Sequence, residues 1–328
     1  MANCFVTGAS GFIGQHLVKR LIEEGMNPVC LARQDHQMAG NHGGTEWVRG
    51  DLNHPHQYAD NLRNVDFVIH LAGLITARRR EDCYRTNVEG TRKLLEICRA
   101  NAPSLKRFVL VSSIAALGPS SENILLSEEY VPRPETEYGR SKLLAEREVL
   151  KHASNIPTVI LRPTFVYGPG DMRGLKSLKL LSEQDRLISF SLIETACLCY
   201  VTDLAAVCVR SLTEPNASGK IFHIADPEVY TLRQINETLK QVILELYPDP
   251  PTSNFIFKRI LDSSPELNSR SGCGQGRKYW GCSIEKAKRE LHFDPRYNLL
   301  EGARETISWY RDHNLYDLSQ ESKAIVRK

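Results

Sequence analysis

Tyr138 and Lys142 stand four residues apart in Tyr138-Gly139-Arg140-Ser141-Lys142, at the start of a stretch that reads as helical. On a helix that spacing puts both side chains on one face, one turn apart. A phenol with an ordinary pKa of about 10 keeps its proton at neutral pH. A neighbouring ammonium favours the phenolate and lowers that pKa. So tuned, Tyr138 can give a proton to a carbonyl oxygen or take one from an alcohol. Any surface helix can carry the same spacing, so the pair gains meaning only from its surroundings.

The first of those surroundings is Thr7-Gly8-Ala9-Ser10-Gly11-Phe12-Ile13-Gly14, which follows an apolar run and precedes an amphipathic one. Glycines here let the chain turn sharply after a strand, bring backbone N–H groups to a pyrophosphate and let the helix pack close to the sheet. The helix N-terminus then supplies a positive end for the diphosphate. The spacing is GxxGxxG, and no Lys-Ser or Lys-Thr follows it, so it is not a P-loop. The expectation is a dinucleotide site, which would give Tyr138 a redox partner. In such units an acid about 20 positions past the glycines holds a ribose 2′-hydroxyl, whereas Arg suits the 2′-phosphate of NADP. Here the second apolar run ends Leu31-Ala32-Arg33-Gln34-Asp35. Arg33 at the tip favours NADP over NAD, with Asp35 still within reach of a ribose.

The elements needed to hold these residues are legible as alternation. Strands are expected at Cys4–Thr7, Val29–Ala32, Glu46–Val48, Asp66–Leu71, Phe108–Ser112, Thr158–Arg162 and Phe222–Ala225. Several are continuously apolar, as strands covered on both faces are. Helices are expected from Ile13 through Ile22, at Asn87–Ala100 and at Ser141–Ala153. Strand, helix, strand in repetition means a parallel sheet with right-handed crossovers. After Gly168-Pro169-Gly170 the pattern loosens. Helical stretches follow near Leu175–Leu181, Asp203–Leu212, Thr231–Leu246, Ile284–Leu291 and Leu299–Asp312, and Ser263–Gly276 reads as a loop. Tyr200–Asp203 and Phe222–Ala225 are expected to return to the sheet.

Taken together, these motifs resemble the extended short-chain dehydrogenases/reductases, the NAD-dependent epimerase/dehydratase group. Thr7–Gly14 resembles that family's cofactor turn, Gly50-Asp51-Leu52 its adenine loop, and His70-Leu71-Ala72-Gly73 the strand end beside the cofactor. Thr86–Thr91 is similar to the helix carrying a structural Asn, here Asn87. Leu161–Gly170 resembles the crossing into the substrate domain, and Tyr279–Leu291 the C-terminal end. The resemblance implies an α/β fold, a doubly wound Rossmann-type parallel sheet with a smaller, mostly α C-terminal substrate domain. The division implied is residues 1–165 and 198–228 for NAD(P), and 166–197 and 229–328 for substrate. It also implies cofactor contacts from Thr7, Gly8, Ser10, Gly11, Phe12, Ile13, Gly14, Arg33, Asp51, Leu52, Leu71, Ala72, Gly73, Tyr138, Lys142, Pro163 and Val166. The catalytic set it implies is Ser113, Tyr138, Lys142 and Asn87. Ser113 would anchor the substrate oxygen, with Ser112 as the fallback one register away, and Asn87 would act more through structure than chemistry.

Composition narrows the partners. A formal net charge of +3 over 328 residues is too small to mark nucleic acid as the main partner. No apolar run is long enough to span a bilayer. Nine scattered cysteines without a CxxC pair point to neither a zinc cage nor a disulfide framework but to a reducing compartment. With the first strand starting at Cys4, a cytoplasmic location is expected. Cys197 and Cys199 lie in an apolar run and read as core. His54-Pro55-His56 reads as an exposed loop, so no metal is expected. Arg78-Arg79-Arg80 reads as a solvated charge run, with binding of an anionic group the lesser reading. Asp203 is either a helix cap or a ligand.

The expected activity is hydride transfer at a secondary alcohol or ketone carbon. Leu161–Tyr167 looks closer to dihydroflavonol-reductase-like and 3β-hydroxysteroid-dehydrogenase-like members, because many nucleotide-sugar enzymes carry an Asn near Phe165. The alternative is a nucleotide-sugar epimerase or dehydratase that borrows and returns the hydride. A non-catalytic NAD(P)-binding sensor ranks last, since both Tyr138 and Lys142 are present. The partner is a small molecule, and a homodimer through the Asn87 and Tyr138 helices is compatible with the family.

Overall fold

The computed structural model describes residues 1–34, 43–75, 79–172, 193–247 and 277–313. Asp35, Arg78, Cys273, the stretch 175–181 and the loop 263–276 lie outside the described residues.

Seven parallel strands form the main sheet: β1 (Asn3–Thr7), β2 (Asn27–Ala32), β3 (Glu46–Arg49), β4 (Phe67–His70), β5 (Arg107–Val111), β6 (Thr158–Pro163) and β9 (Lys220–Ile224). Their order is β3-β2-β1-β4-β5-β6-β9. The apolar runs are continuous because alternate residues feed two cores. Val6, Ile69, Val109, Leu161 and Phe222 face one layer of helices, while Phe5, Val68, Phe108, Leu110 and Ile160 face the other. The first layer holds α1 (Phe12–Glu23), α5 (Val201–Thr213) and α7 (Glu285–Leu291); the second holds α3 (Gly90–Asn101) and α4 (Glu137–His152). The direction of winding reverses between β1 and β4, and a doubly wound sheet opens its ligand cleft at such a reversal, beyond the carboxyl ends of the strands.

A second, four-stranded sheet lies apart from the seven-stranded one. In it β8 (Ile193–Tyr200) pairs with β10 (Val229–Thr231) antiparallel, and with β7 (Phe165–Tyr167) and β11 (Lys278–Trp280) parallel. Behind it α6 (Leu232–Leu246) packs against α8 (Leu299–Asp312) through Val242, Ile243, Ala303, Ile307 and Tyr310. Both helices begin with a capping box, Thr231 with Gln234 and Asn298 with Glu301.

Three details depart from the expected elements. Phe222 does return to the main sheet in β9, but Tyr200 instead closes β8, and Val201 opens α5 without a loop. The helix expected at Asn87–Ala100 begins inside a π-helical turn at Arg85–Glu89, which joins α2 (Arg80–Tyr84) to α3. Periodicity is blind to the extra residue of a π turn, which is a recurrent feature of functional sites. Asp203 does not cap α5; its carboxylate accepts the backbone N–H groups of Arg296 (3.1 Å) and Tyr297 (3.2 Å) and so tethers the segment before α8.

Beneath the cleft lies a buried ion pair. Arg162 Nε and Nη2 donate to Glu146 at 2.9 and 2.7 Å, and Ser112 Oγ donates to the same carboxylate at 2.5 Å. Both charged side chains are almost wholly buried. Removing one partner leaves the other charge stranded in the core, so Glu146→Ala is expected to cost about 3–5 kcal/mol of stability. Urea unfolding at neutral pH measures it, and a loss below about 1 kcal/mol, the range of an exposed pair, would contradict the arrangement. Among the described residues no helix is long and apolar enough to cross a membrane.

Candidate active site

The turn after β1 is packed backbone against backbone. Gly8 has φ +76°, and a Cβ there would lie 2.7 Å from the Ala72 nitrogen just beyond β4. A Cβ on Gly14 would lie 2.2 Å from the Gly8 carbonyl oxygen. Gly11 begins α1 without a side-chain cap, and the first turn holds no acidic residue. The N–H groups of Phe12, Ile13 and Gly14 therefore have no intrahelical acceptor. A tight cradle, free donors and a positive helix end together fit a dinucleotide diphosphate.

The residues expected to handle a proton lie just past β5 and in the first turns of α4. Thr136 caps α4 by accepting Gly139 N–H at 3.0 Å, so the helix begins at Glu137 with Tyr138 and Lys142 in successive turns. Tyr138 and Ser113 are half-buried; Lys142 is buried and donates to the Val111 carbonyl at the end of β5, at 2.8 Å. Burial pushes the Lys142 ammonium down to about 8, against the opposing pull of Glu146 one turn further along. Ser113 follows β5 and its Oγ accepts Ala115 N–H at 3.2 Å. Ser112 is committed to Glu146 and points into the buried ion pair. Asn87 sits in the π turn, where its Oδ1 accepts Leu74 N–H at 2.7 Å and its Nδ2 donates to the Leu74 carbonyl and to Ser141 Oγ, each at 2.9 Å.

The other expected cofactor residues are spread along the same edge. Thr7 ends β1, and Ser10 lies in the glycine turn. Leu71, Ala72 and Gly73 follow β4, and a Cβ on Gly73 would lie 3.2 Å from Asn87 Oδ1 and 4.0 Å from Lys142 Nζ. Arg33 is exposed just past β2. Asp51 follows β3 and is partly occupied by its own loop, accepting Asn53 N–H at 2.7 Å, while Leu52 is buried. Pro163 is the last residue of β6, and Val166 lies in β7 paired with Cys199 in the small sheet. Of the arginine run, Arg80 pairs with Glu137 at 2.7 Å and Arg79 with Asp82 at 3.7 Å, so both described members have acidic neighbours. Cys197 and Cys199 are buried. Among the described residues no group of His, Cys, Asp or Glu is gathered to hold a metal.

Some residues at the site were not singled out in the sequence. His70 is fully buried between Thr7 and Thr91, and Ser141 bridges Asn87 to the Tyr138 carbonyl. The signal that points to His70 is a lone polar residue at the end of the apolar run Phe67–Ile69, on the strand next to Thr7.

A family model described as the NAD dependent epimerase/dehydratase family matches residues 4–225. The chain belongs to this family. Among its relatives, a ceramide reductase of Caulobacter vibrioides (strain NA1000 / CB15N) is 29% identical, over 93% of either chain. A UDP-glucose 4-epimerase of Vibrio cholerae is 27% identical, over 94% of this chain and 95% of the relative. The UDP-glucuronic acid 4-epimerase of Bacillus cereus, solved in complex with NAD, superposes with a TM-score of 0.73 at 22% identity, covering 96% of this chain and 98% of that one. That likeness concerns the fold. The family embraces both reductases and epimerases, so membership alone leaves the specific activity open.

Two measurements probe the site of this epimerase/dehydratase-family chain. Gly14→Ala forces a methyl into the Gly8 carbonyl and is expected to weaken dinucleotide binding by about tenfold or more, read by quenching of intrinsic fluorescence. Lys142 is an ammonium below about 8 and neutral above it. A step that uses its charge should fade as pH rises through that value, and Glu146→Gln should move the inflection in kcat/KM to lower pH. A profile level up to about pH 10, the ordinary lysine range, would contradict this.

Proposed function

We propose that the chain is an NADP(H)-dependent oxidoreductase acting at the ketone or secondary-alcohol carbon of a largely apolar small molecule. The observation that carries this reading is the aromatic pair Phe165 and Trp280, edge to face at 5.8 Å, just beyond the end of β6. Phe165 also packs with Tyr167, Leu198, Tyr230 and Leu299. An apolar wall favours a hydrocarbon-bearing substrate over a polar sugar, and it stands where many nucleotide-sugar enzymes of the family carry an Asn. The likeness to a ceramide reductase supports the same substrate chemistry. Arg33 at the tip of β2 supports NADP(H) through its match to a 2′-phosphate. The division of labour is part of the reading, with residues 1–165 and 198–228 holding the dinucleotide and the remainder the substrate, except that Phe165 and Leu198 at the boundaries stand in the small sheet on the substrate side.

The bound dinucleotide supplies or accepts the hydride. In the reducing direction Ser113 Oγ donates a hydrogen bond to the carbonyl oxygen and holds it near Tyr138. Tyr138 gives its phenolic proton to that oxygen as the carbonyl becomes an alcohol, and the phenolate left behind is stabilised by the Lys142 ammonium. Asn87 keeps the π turn, Leu74 and Ser141 in register and takes no part in the proton transfer.

A second reading, a nucleotide-sugar epimerase, is favoured by the Vibrio cholerae relative. The two part on the state of the cofactor. An NADP(H) that exchanges freely and is consumed with an apolar ketone supports the reductase. An NAD that survives dialysis, with interconversion of UDP-sugars, supports the epimerase. Tyr138→Phe is expected to lower turnover by about 10²-fold or more while leaving dinucleotide affinity within a few fold. Unchanged function in that variant would instead mark a binding protein without catalysis.

A further inference from the structure

A single thread of hydrogen bonds runs from the end of β4 to the first turn of α4, and its polarity can be read in full. Ala72 N–H donates to Thr7 Oγ1 at 3.2 Å. Thr91 Oγ1 donates to the Asn87 carbonyl at 2.7 Å, the ordinary back-bond of a helical threonine. Between these two hydroxyls lies His70, with Nδ1 2.6 Å from Thr7 Oγ1 and Nε2 2.9 Å from Thr91 Oγ1. A hydroxyl has one proton to give. That of Thr91 is spent on Asn87, so Thr91 must accept from His70, and Nε2 carries the hydrogen. A neutral ring then has a bare Nδ1, which accepts the Thr7 hydroxyl proton, leaving Thr7 free to accept from Ala72. The thread continues through the Asn87 side chain, whose orientation is fixed by the two Leu74 bonds. Asn87 Nδ2 donates to Ser141 Oγ, and Ser141 Oγ donates to the Tyr138 carbonyl at 2.8 Å.

We propose that His70 is a positioning residue, a neutral strut held as the Nε2–H tautomer, that fixes the diphosphate turn relative to the helical turn carrying Tyr138. An imidazolium would have two donors and no acceptor, and Thr7 would lose its recipient. Burial pushes His70 down to about 3, aided by the charge of Lys142, so the strut stays neutral at every working pH. Every member of the thread from His70 to Ser141 is buried, so water is a poor substitute for a broken link. The role of the strut in turnover rests on the function proposed above; its tautomer and its mechanical link do not.

Nitrogen NMR of histidine-labelled protein should show one imidazole with Nε2 protonated and Nδ1 bare, unchanged from pH 6 to about pH 8.5, well above its own pKa and beyond that of an ordinary histidine. A protonated ring or the Nδ1–H tautomer would overturn the proposal. His70→Phe and Thr91→Val should each speed amide exchange both in the Ser10–Gly14 turn and around Tyr138–Lys142. Each should also weaken NADPH binding about tenfold, and the double variant should be no worse than His70→Phe, because a thread is cut only once. His70→Gln, with one acceptor and one donor on one planar group, should recover affinity to within about threefold. Additive losses, or a loss that Gln does not relieve, would reduce His70 to a packing role and overturn the inference. If His70→Phe fails to fold, Thr91→Val and the tautomer decide. A parent protein that binds neither NADPH nor NADH would sink the proposed function, while amide exchange and the tautomer would still judge the strut.

Discussion

Gly8 and Ala72 approach until there is no room for a side chain between them, and the cleft is organised around that contact. It is a contact between the ends of two neighbouring strands, β1 and β4, whose crossovers lead away in opposite directions. Because the strands are parallel and buried from Cys4 and Phe67 to their ends, those ends are set by the sheet's own hydrogen bonds. The turn after β1 is therefore presented at a fixed height, and the positive end of α1 with it. Thr7 adds a side-chain link across the same gap. A dinucleotide in this cleft would meet backbone rather than flexible side chains at its most highly charged point, which is an inexpensive way to hold a diphosphate.

The second constraint is electrostatic. Tyr138, Lys142 and Glu146 follow one another at helical spacing, and Arg162 from β6 meets the third of them. Lys142 is buried, and desolvation pushes its pKa down. Glu146 counteracts this, and Arg162 together with Ser112 makes the burial of Glu146 tolerable. The cluster Lys142–Glu146–Arg162 carries one net positive charge when all three are ionised, placed beneath the tyrosine. A buried ion pair is an indifferent source of stability. Here it has an electrostatic consequence, because Glu146 favours the charged form of the buried Lys142 one turn away.

Much of this was readable in the residues. The strands of the main sheet announce themselves because burial on both faces demands uninterrupted apolar runs. The glycine turn and the Tyr138–Lys142 pair are local patterns, and the fold brings them to one edge of one sheet. What escaped reading was non-local or short. His70 meets partners 63 and 21 residues away, so a lone polar residue closing an apolar run gives no hint of what it bonds. Strands β7, β10 and β11 have three residues each, too few to show alternation. The π turn around Asn87 hides in a helix-like pattern because a single inserted residue barely disturbs a 3.6-residue period. Asp203 looks like a cap in the chain and proves to be a tether, since its partners come from the far end of the sequence.

Tyr200 is the last residue of β8 and Val201 the first of α5, with no linker between them. On one side β8 is the spine of the small sheet; on the other, α5 lies against α1. A joint with no slack behaves as a crank. Any tilt of the small sheet over the cleft would be delivered directly to α5 and passed to α1, the helix whose amino end faces the diphosphate turn. The longest strand of the small sheet and the helix that packs on α1 thus share one peptide bond, so at this point the two sheets are joined without a flexible hinge.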